Sequence, residues 1–419
     1  MNRKLTLVLM IILTLFLFEL ISRKGTIIPL TMPFLVYLCV GVFTSPRKIQ
    51  LKVSRKLNAH RSDADEIVNM SLTVENHSTT IPRLQFKEPW NPRLILVEGE
   101  LEKGFFVPAK EMINLTYTFR APHGRYSWNS IKLVASDPFG LFEKQMEFPD
   151  ETHLLVWQDY HQLKRFRYKP QPTIQTAGPY LSRQPGSGTD FWGVREYRMG
   201  DSLRSIHWRL AARHPRIFYS KVQESEEMAD IGILVDARSS AYQTNGTDDL
   251  FEHSIQAAGT FAKYFLSAGN RVSMLILNDQ LIRIFPGYGN HQLIQIYDHL
   301  AGCTLGEKVT LQSLKYLPAK LFPSQSVIVM ISPLLPNDLD FIRRMQAKKY
   351  QILLICPNSL NVESLKTGTN VYHSYAIRAA RLERDVLFQQ LQKKGTQIID
   401  WEVNQPLINA LQAVRFRKM

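Results

Sequence analysis

The chain has 419 residues, 45% hydrophobic and 21% charged, with 51 Lys and Arg against 37 Asp and Glu and a formal net charge of +14. That balance excludes a disordered polymer, 21 Gly and 22 Pro exclude a collagen-like one, and three cysteines, Cys39, Cys303 and Cys356, are too few and too scattered for a disulfide framework or a cysteine-based zinc site. The length suits two or three domains, and the positive excess asks for lipid headgroups, nucleic acid or an acidic protein.

Leu5 to Ile21 and Ile27 to Thr44 are apolar runs of 17 and 18 residues, close to the roughly 20 that cross about 30 Å of hydrocarbon. Only Ser22 to Thr26 separates them, which predicts a tight helical hairpin over residues 1–45. Seven basic residues flank its outer ends (Arg3, Lys4, Arg47, Lys48, Lys52, Arg55 and Lys56), against Arg23 and Lys24 between the runs. The positive-inside rule then places both termini and all soluble parts in the cytoplasm of a multi-pass inner-membrane protein. A cleaved signal peptide fits less well, because the first run exceeds the usual apolar region and a second follows at once. Glu19 reads as an interfacial residue near the end of its span.

Over residues 46–157 the period changes to two, as in Ile67 to Asn76, Met112 to Phe119 and Ser130 to Val134. Alternating runs between turn signals predict antiparallel strands packed as a β-sandwich. Residues 158–227 hold a polar, Pro-punctuated linker, to about Gln184, and then a dense segment rich in Arg and aromatics. From 228 to 419 strands and helices alternate, beginning with Ala229 to Val235 and the amphipathic helix Asp249 to Ala268. This order predicts a Rossmann-type α/β domain with a parallel sheet, whose ligands bind beyond the carboxyl ends of the strands. The fold class is therefore α+β multidomain.

The loop after the strand Ala229 to Val235 reads Asp236-Ala237-Arg238-Ser239-Ser240. It resembles the D-x-S-x-S loop of the von Willebrand factor A fold, where a carboxylate and two hydroxyls hold a divalent ion such as Mg²⁺. Here Arg238 stands in the middle serine's place, and the metal-linked Asp that the resemblance implies after strand Ser326 to Ile331 is replaced by Ser332-Pro333-Leu334-Leu335. A metal-free version is expected, with Asp236 pairing Arg238 or capping a turn. The alternative is a metal-dependent adhesion module using Asp236, Ser239 and Ser240.

The dense segment runs from Gly186 to Arg213 and includes Gly188, Asp190, Phe191, Arg195, Tyr197, Gly200, Asp201, Arg204, Ile206 and Trp208. The string G-x-G-x-(D/E)-F-x-x-x-R-x-Y-x-x-G-D-x-x-R-x-I-x-W-x-x-x-A-R resembles the signature of the bacterial domain-of-unknown-function family number fifty-eight. The likeness extends to the N-terminal hairpin, to Asp137-Pro138-Phe139-Gly140-Leu141-Phe142, and to the degenerate A-type domain. It implies a MoxR-type AAA+ ATPase and a transglutaminase-like membrane protein as partners, and it implies no activity.

Read physically, Gly200-Asp201 predicts a turn or N-cap with a helix from Ser202 to Ala212. Arg195, Arg198, Arg204, Arg209, Arg213, Arg216 and Lys221 outnumber Glu196 and Asp201. Such guanidinium groups either stack on Tyr197, Trp192 and Trp208 to lock the domains together, or present a docking surface to an acidic protein. Nucleic acid is not the expected partner, and no phosphate loop is present. A hydrolase built from Asp201, His207 and a serine is a further alternative, but no G-x-S-x-G elbow exists, so no catalytic residue is assigned. The sequence reading is thus a non-enzymatic, cofactor-free scaffold or adaptor held at the membrane. The C-terminal Arg415-Phe416-Arg417-Lys418 is basic enough to touch anionic lipid.

Overall fold

Helices α1 (Arg3–Ser22) and α2 (Ile28–Thr44) pack on each other and carry apolar residues all round, leaving Leu7, Met10, Leu13 and Phe16 exposed. The computed structural model describes residues 3–22, 28–45, 49–86, 90–100, 104–163, 166, 168, 180–213, 217–242, 248–308, 320–358, 371–393 and 395–413. Its contacts divide the chain into two units, Met1–Gln158 and Asp159–Met419. Residues Arg3–Ile21, with a mean hydropathy of 2.4, form one N-terminal helix long and apolar enough to cross a membrane. Helix α2 has 17 residues with Pro33 inside it, and by itself it falls short of that length. The expectation of two full spans is corrected to one that meets the criterion alone.

Among the described residues, nine strands follow in the first unit: β1 (Leu51–Leu57), β2 (Arg61–Asp63), β3 (Ile67–Asn76), β4 (Ile81–Phe86), β5 (Ile95–Glu98), β6 (Gly104–Val107), β7 (Met112–Arg120), β8 (Gly124–Ser136) and β9 (Glu143–Trp157). One sheet is ordered β1-β3-β7-β5 and the other β2-β9-β8-β4-β6. Alternation turns Val68, Met70, Leu72 and Val74 inward from β3, where they share a core with Phe119, Ile131, Leu133 and Leu154. Trp128 meets Phe119 edge-on at 6.1 Å. Strand β2 departs from the antiparallel expectation: it pairs in parallel with β9, as an edge strand that the chain reaches after leaving the other sheet.

The second unit opens with a strap where the sequence suggested a free linker. Tyr160, Leu163 and Phe166 are buried, and the two aromatic rings land on the next helix and its neighbour. Tyr160 stacks on Tyr297 at 4.1 Å, and Phe166 meets Phe261 and Tyr264 edge-on. Strands β10 (Tyr180–Glu196) and β11 (Tyr219–Glu227) then pair as an antiparallel ribbon. The short helix α3 (Trp208–Ala211) lies between them in sequence.

The remaining elements are β12 (Asp230–Asp236), α4 (Asp248–Ser267), β13 (Arg271–Leu277), β14 (Leu281–Gly287), α5 (Gly289–Ala301), β15 (Val327–Ile331), α6 (Leu339–Ala347), β16 (Gln351–Asn358), α7 (Val371–Gln392), β17 (Gln397–Glu402) and α8 (Leu407–Ala413). They build a sheet ordered β14-β13-β12-β15-β16-β17 in which only β14 runs antiparallel. All seven residues of β12 are buried, as a central strand covered on both faces requires. On one face Phe341, Ile342 and Met345 of α6 and Phe388 and Leu391 of α7 cover Leu234, Leu275, Met330 and Leu354. From β12 the chain goes to β13 on one side and later to β15 on the other. The order therefore switches between β12 and β15, the point at which sheets of this kind open a crevice at the carboxyl ends.

Candidate functional site

A guanidinium fills that crevice. Strand β12 ends at Asp236, whose side chain is fully buried, and the next turn brings Arg238 back over it. Arg238 Nε donates to Asp236 Oδ1 at 2.8 Å and Nη2 to Oδ2 at 2.7 Å, a two-pronged match of fork to carboxylate. The opposite edge of the same guanidinium donates to Asp338 Oδ1 at 3.0 Å and Oδ2 at 2.7 Å. Ser332, just past β15, donates its hydroxyl to Asp236 Oδ2 at 2.7 Å, and the Leu335 amide donates to Asp338 Oδ2 at 2.9 Å. Tyr242 closes the floor by donating to the Asp236 carbonyl at 2.8 Å.

The electrostatics follow from burial. Desolvation alone would lower the Arg238 pKa, but hydrogen bonds and charge from Asp236 and Asp338 outweigh it and hold the pKa above its ordinary value. Two carboxylates around one permanent cation leave a single net negative charge, shared with donor groups. The residues do not fit a divalent ion, because the fork already takes the carboxylate oxygens that an ion would need. Ser239 is half-buried and Ser240 exposed. Among the described residues, no group of three or more His, Cys, Asp or Glu is placed to hold a metal.

A second arginine seals the same sheet edge farther along. Arg384 Nη2 donates to Asp400 Oδ1 at 2.8 Å and to the Cys356 carbonyl at 3.1 Å, while Nη1 reaches the Pro333 carbonyl at 3.2 Å. Its guanidinium carbon lies 4.8 Å from the centre of the Phe388 ring. Burial pushes the Cys303 and Cys356 thiols up to about 12, so neither is a thiolate at neutral pH.

The signature segment is organised around Asp201. Gly200, at φ +106°, makes the turn that a side chain would resist, and it lets Asp201 fold back. Asp201 Oδ1 accepts from Arg195 Nη2 at 2.6 Å, Oδ2 accepts from the Arg198 amide at 2.9 Å, and the Asp201 carbonyl accepts from the Tyr197 hydroxyl at 2.9 Å. The Arg195 hydrogen bond holds the Asp201 carboxyl below its usual range.

The single helix expected from Ser202 to Ala212 is broken. A 3₁₀ turn at Leu203–Ser205 is capped by Ser202, and α3 begins only at Trp208. Between them Ile206 is buried and bridges to Ser220, and the His207 amide donates to the Tyr219 carbonyl, so tertiary pairing overrides helical continuity. His207 Nδ1 accepts from the Leu210 amide, and Ser205 pairs with Ser220 at 2.8 Å, so Asp201, His207 and Ser205 are not brought together as a triad.

The rest of the segment faces outward. Arg195, Arg198, Arg204, Arg209 and Arg213 are exposed, and so are Phe191, Met199, Leu203, Trp208 and Phe218. Trp208 is 63% exposed. Gly188 and Asp190 lie in β10, while the side chains of Asp190 and Trp192, together with residues 216 and 414–419, fall outside what is described.

Residues 193–361 match a family described as "Protein of unknown function DUF58". A curated relative, the uncharacterized protein YeaD of Bacillus subtilis (strain 168), is 25% identical over 197 residues, 46% of this chain and 46% of its own. The chain thus resembles the DUF58, YeaD-like family over its signature and the first part of its α/β portion. The match with YeaD spans about half the length of that relative. Among solved structures, the CARDB domain of the PF1109 protein from Pyrococcus furiosus is 14% identical, with 26% of this chain and 96% of that chain covered at a TM-score of 0.20. Proximal thread matrix protein 1 from the mussel byssus is 15% identical, with 32% of this chain and 36% of that chain covered at 0.24. Likenesses at those scores carry no argument about this chain.

Sequence reasoning about the crevice missed Ser332, Asp338 and Arg384. Ser332 was legible as the replacement for an expected Asp, but its hydroxyl's target was not. Asp338 sits in the 3₁₀ turn Pro336–Asp338 beyond it, and only the parallel pairing of β12 with β15 brings it to Arg238.

Proposed function

We propose that this chain is a membrane-anchored scaffold or adaptor on the cytoplasmic face of the cell membrane, which holds an acidic partner protein through its signature surface. One observation carries the reading: five exposed arginines lie among exposed Phe191, Met199, Leu203, Trp208 and Phe218. Arg, Trp, Phe and Met are the residue types enriched where proteins bind proteins, while bilayer surfaces accept Lys as readily as Arg. Guanidinium forks engage a partner's carboxylates, and the large side chains fill its apolar pockets.

The α/β portion is read as von Willebrand factor A-like in a metal-free form, with Arg238 acting as its built-in cation. Helices α1 and α2 are read as a transmembrane hairpin with both ends inside, supported by the seven basic residues at its outer ends. The family resemblance makes a MoxR-type AAA+ ATPase the first partner to test and a transglutaminase-like membrane protein the second. In a pull-down with the detergent-solubilised full chain, the ATPase is enriched by the wild type and depleted when Arg204→Glu is combined with Trp208→Ala. Failure to enrich an ATPase, with or without an ATP analogue, contradicts the proposal.

A further inference from the structure

The Asp137-Pro138-Phe139-Gly140-Leu141-Phe142 loop joins β8 to β9 and is wound around one buried carboxylate. Asp137 is fully buried; its Oδ1 accepts from the Phe142 amide at 2.7 Å and its Oδ2 from the Phe139 amide at 3.1 Å. These two bonds close the loop on its own carboxylate, and it touches both N-terminal helices. At Gly41 of α2 an added Cβ would lie 3.0 Å from Leu141 Cδ1 and 3.4 Å from Asp137 Oδ2, so the helix backbone itself packs on the loop. One turn earlier the Tyr37 ring lies 4.4 Å from that of Phe139. On the other helix, Lys4 Nζ approaches the Gly140 backbone.

Tyr37 stands seven residues before the end of α2, about 10 Å along its axis at 1.5 Å per residue. The headgroup layer is only about 5 to 8 Å thick on each side of the hydrocarbon. Phe43, on the last turn of α2, is 84% exposed. We infer that the Asp137–Phe142 loop is a lipid-interface foot, seating Pro138 and Phe139 at the headgroup boundary beside the helix pair. The inference rests on reading α1 and α2 as membrane-embedded. The occupant is the bilayer, because the foot packs on α2 near its end and meets Lys4 of α1, the helix that exposes Leu7 and Met10 within the next two turns.

The test uses the full chain with Cys39→Ser, since Cys303 and Cys356 are buried and unreactive. The exposed Pro138 is replaced by Cys, labelled with an NBD fluorophore, and reconstituted in phosphatidylcholine–phosphatidylglycerol vesicles with lipids spin-labelled near the headgroup. Phe16→Cys reports the membrane helix and the exposed His77→Cys the sandwich surface. Should Pro138→Cys fail to fold, Lys144→Cys, exposed two residues beyond the loop, takes its place. The expected result is loss of most of the emission at 138, with no loss at 77. Quenching at 16 but none at 138 or 144 overturns the foot alone; quenching at none of the positions contradicts the membrane reading, and the foot with it.

Discussion

Arg238 is the residue on which the crevice of the α/β portion turns. Removing it leaves Asp236 and Asp338 facing each other in a buried space without a cation. Breaking a buried pair in this way costs about 3 to 5 kcal/mol. Arg238→Ala is expected to lower the unfolding free energy by that amount in urea titration, while the reciprocal Asp338→Asn costs less because one carboxylate still pairs the guanidinium. In Arg238→Ser, Mg²⁺ at millimolar concentration is expected to restore part of the loss, whereas the wild type shows no change with Mg²⁺ or chelator. Equal insensitivity of both proteins would show that the carboxylates do not form a cation site. The Asp236–Arg238 half was readable in the sequence because the two residues share one loop. The Asp338 half was not, because the contact spans 100 positions and depends on which strands become neighbours.

At the scale of elements, the signature shows where local signals prevail and where they yield. Gly200-Asp201 announces a turn, and the structure builds one around the Asp201 carboxylate. Its pKa is lowered in the folded state, so its stabilising contribution is present above the ordinary carboxylate value near 4 and is lost as pH falls through the depressed one. Hydrogen exchange at residues 195–204, corrected for intrinsic rates, is therefore expected to accelerate below about pH 4 in the wild type. Asp201→Asn should show that faster exchange already at neutral pH; an unchanged pH profile in the variant would refute the role of the carboxylate.

The same segment's helix signal failed at Ile206, whose burial and bridge to Ser220 outweigh the propensity of its neighbours. A similar override explains the strap. Around Tyr160, Leu163 and Phe166 polar residues and prolines nearby read as a linker, while the three apolar side chains, too sparse for any period, are the ones that pack. The α/β alternation, in contrast, was legible almost element by element, because a parallel sheet demands unbroken apolar strands.

For the whole molecule, the +14 charge distributes into parts with separate explanations. Basic residues flank α1 and α2, Arg238 and Arg384 are consumed inside the α/β portion, Arg195 pairs Asp201, and the exposed Arg198, Arg204, Arg209 and Arg213 form the surface proposed to bind a partner. The central claim is that this surface binds an acidic protein without a divalent ion. Its most direct measurement is the affinity of the full chain, held in nanodiscs, for the MoxR-type ATPase by interferometry in EDTA, across a salt series. Binding that persists in EDTA, weakens with salt, and falls at least about tenfold in Arg204→Glu with Trp208→Ala, the loss of one 1.4 kcal/mol increment, is the predicted result. Binding that requires Mg²⁺ and vanishes in Asp236→Ala, with the signature variant unaffected, would contradict it.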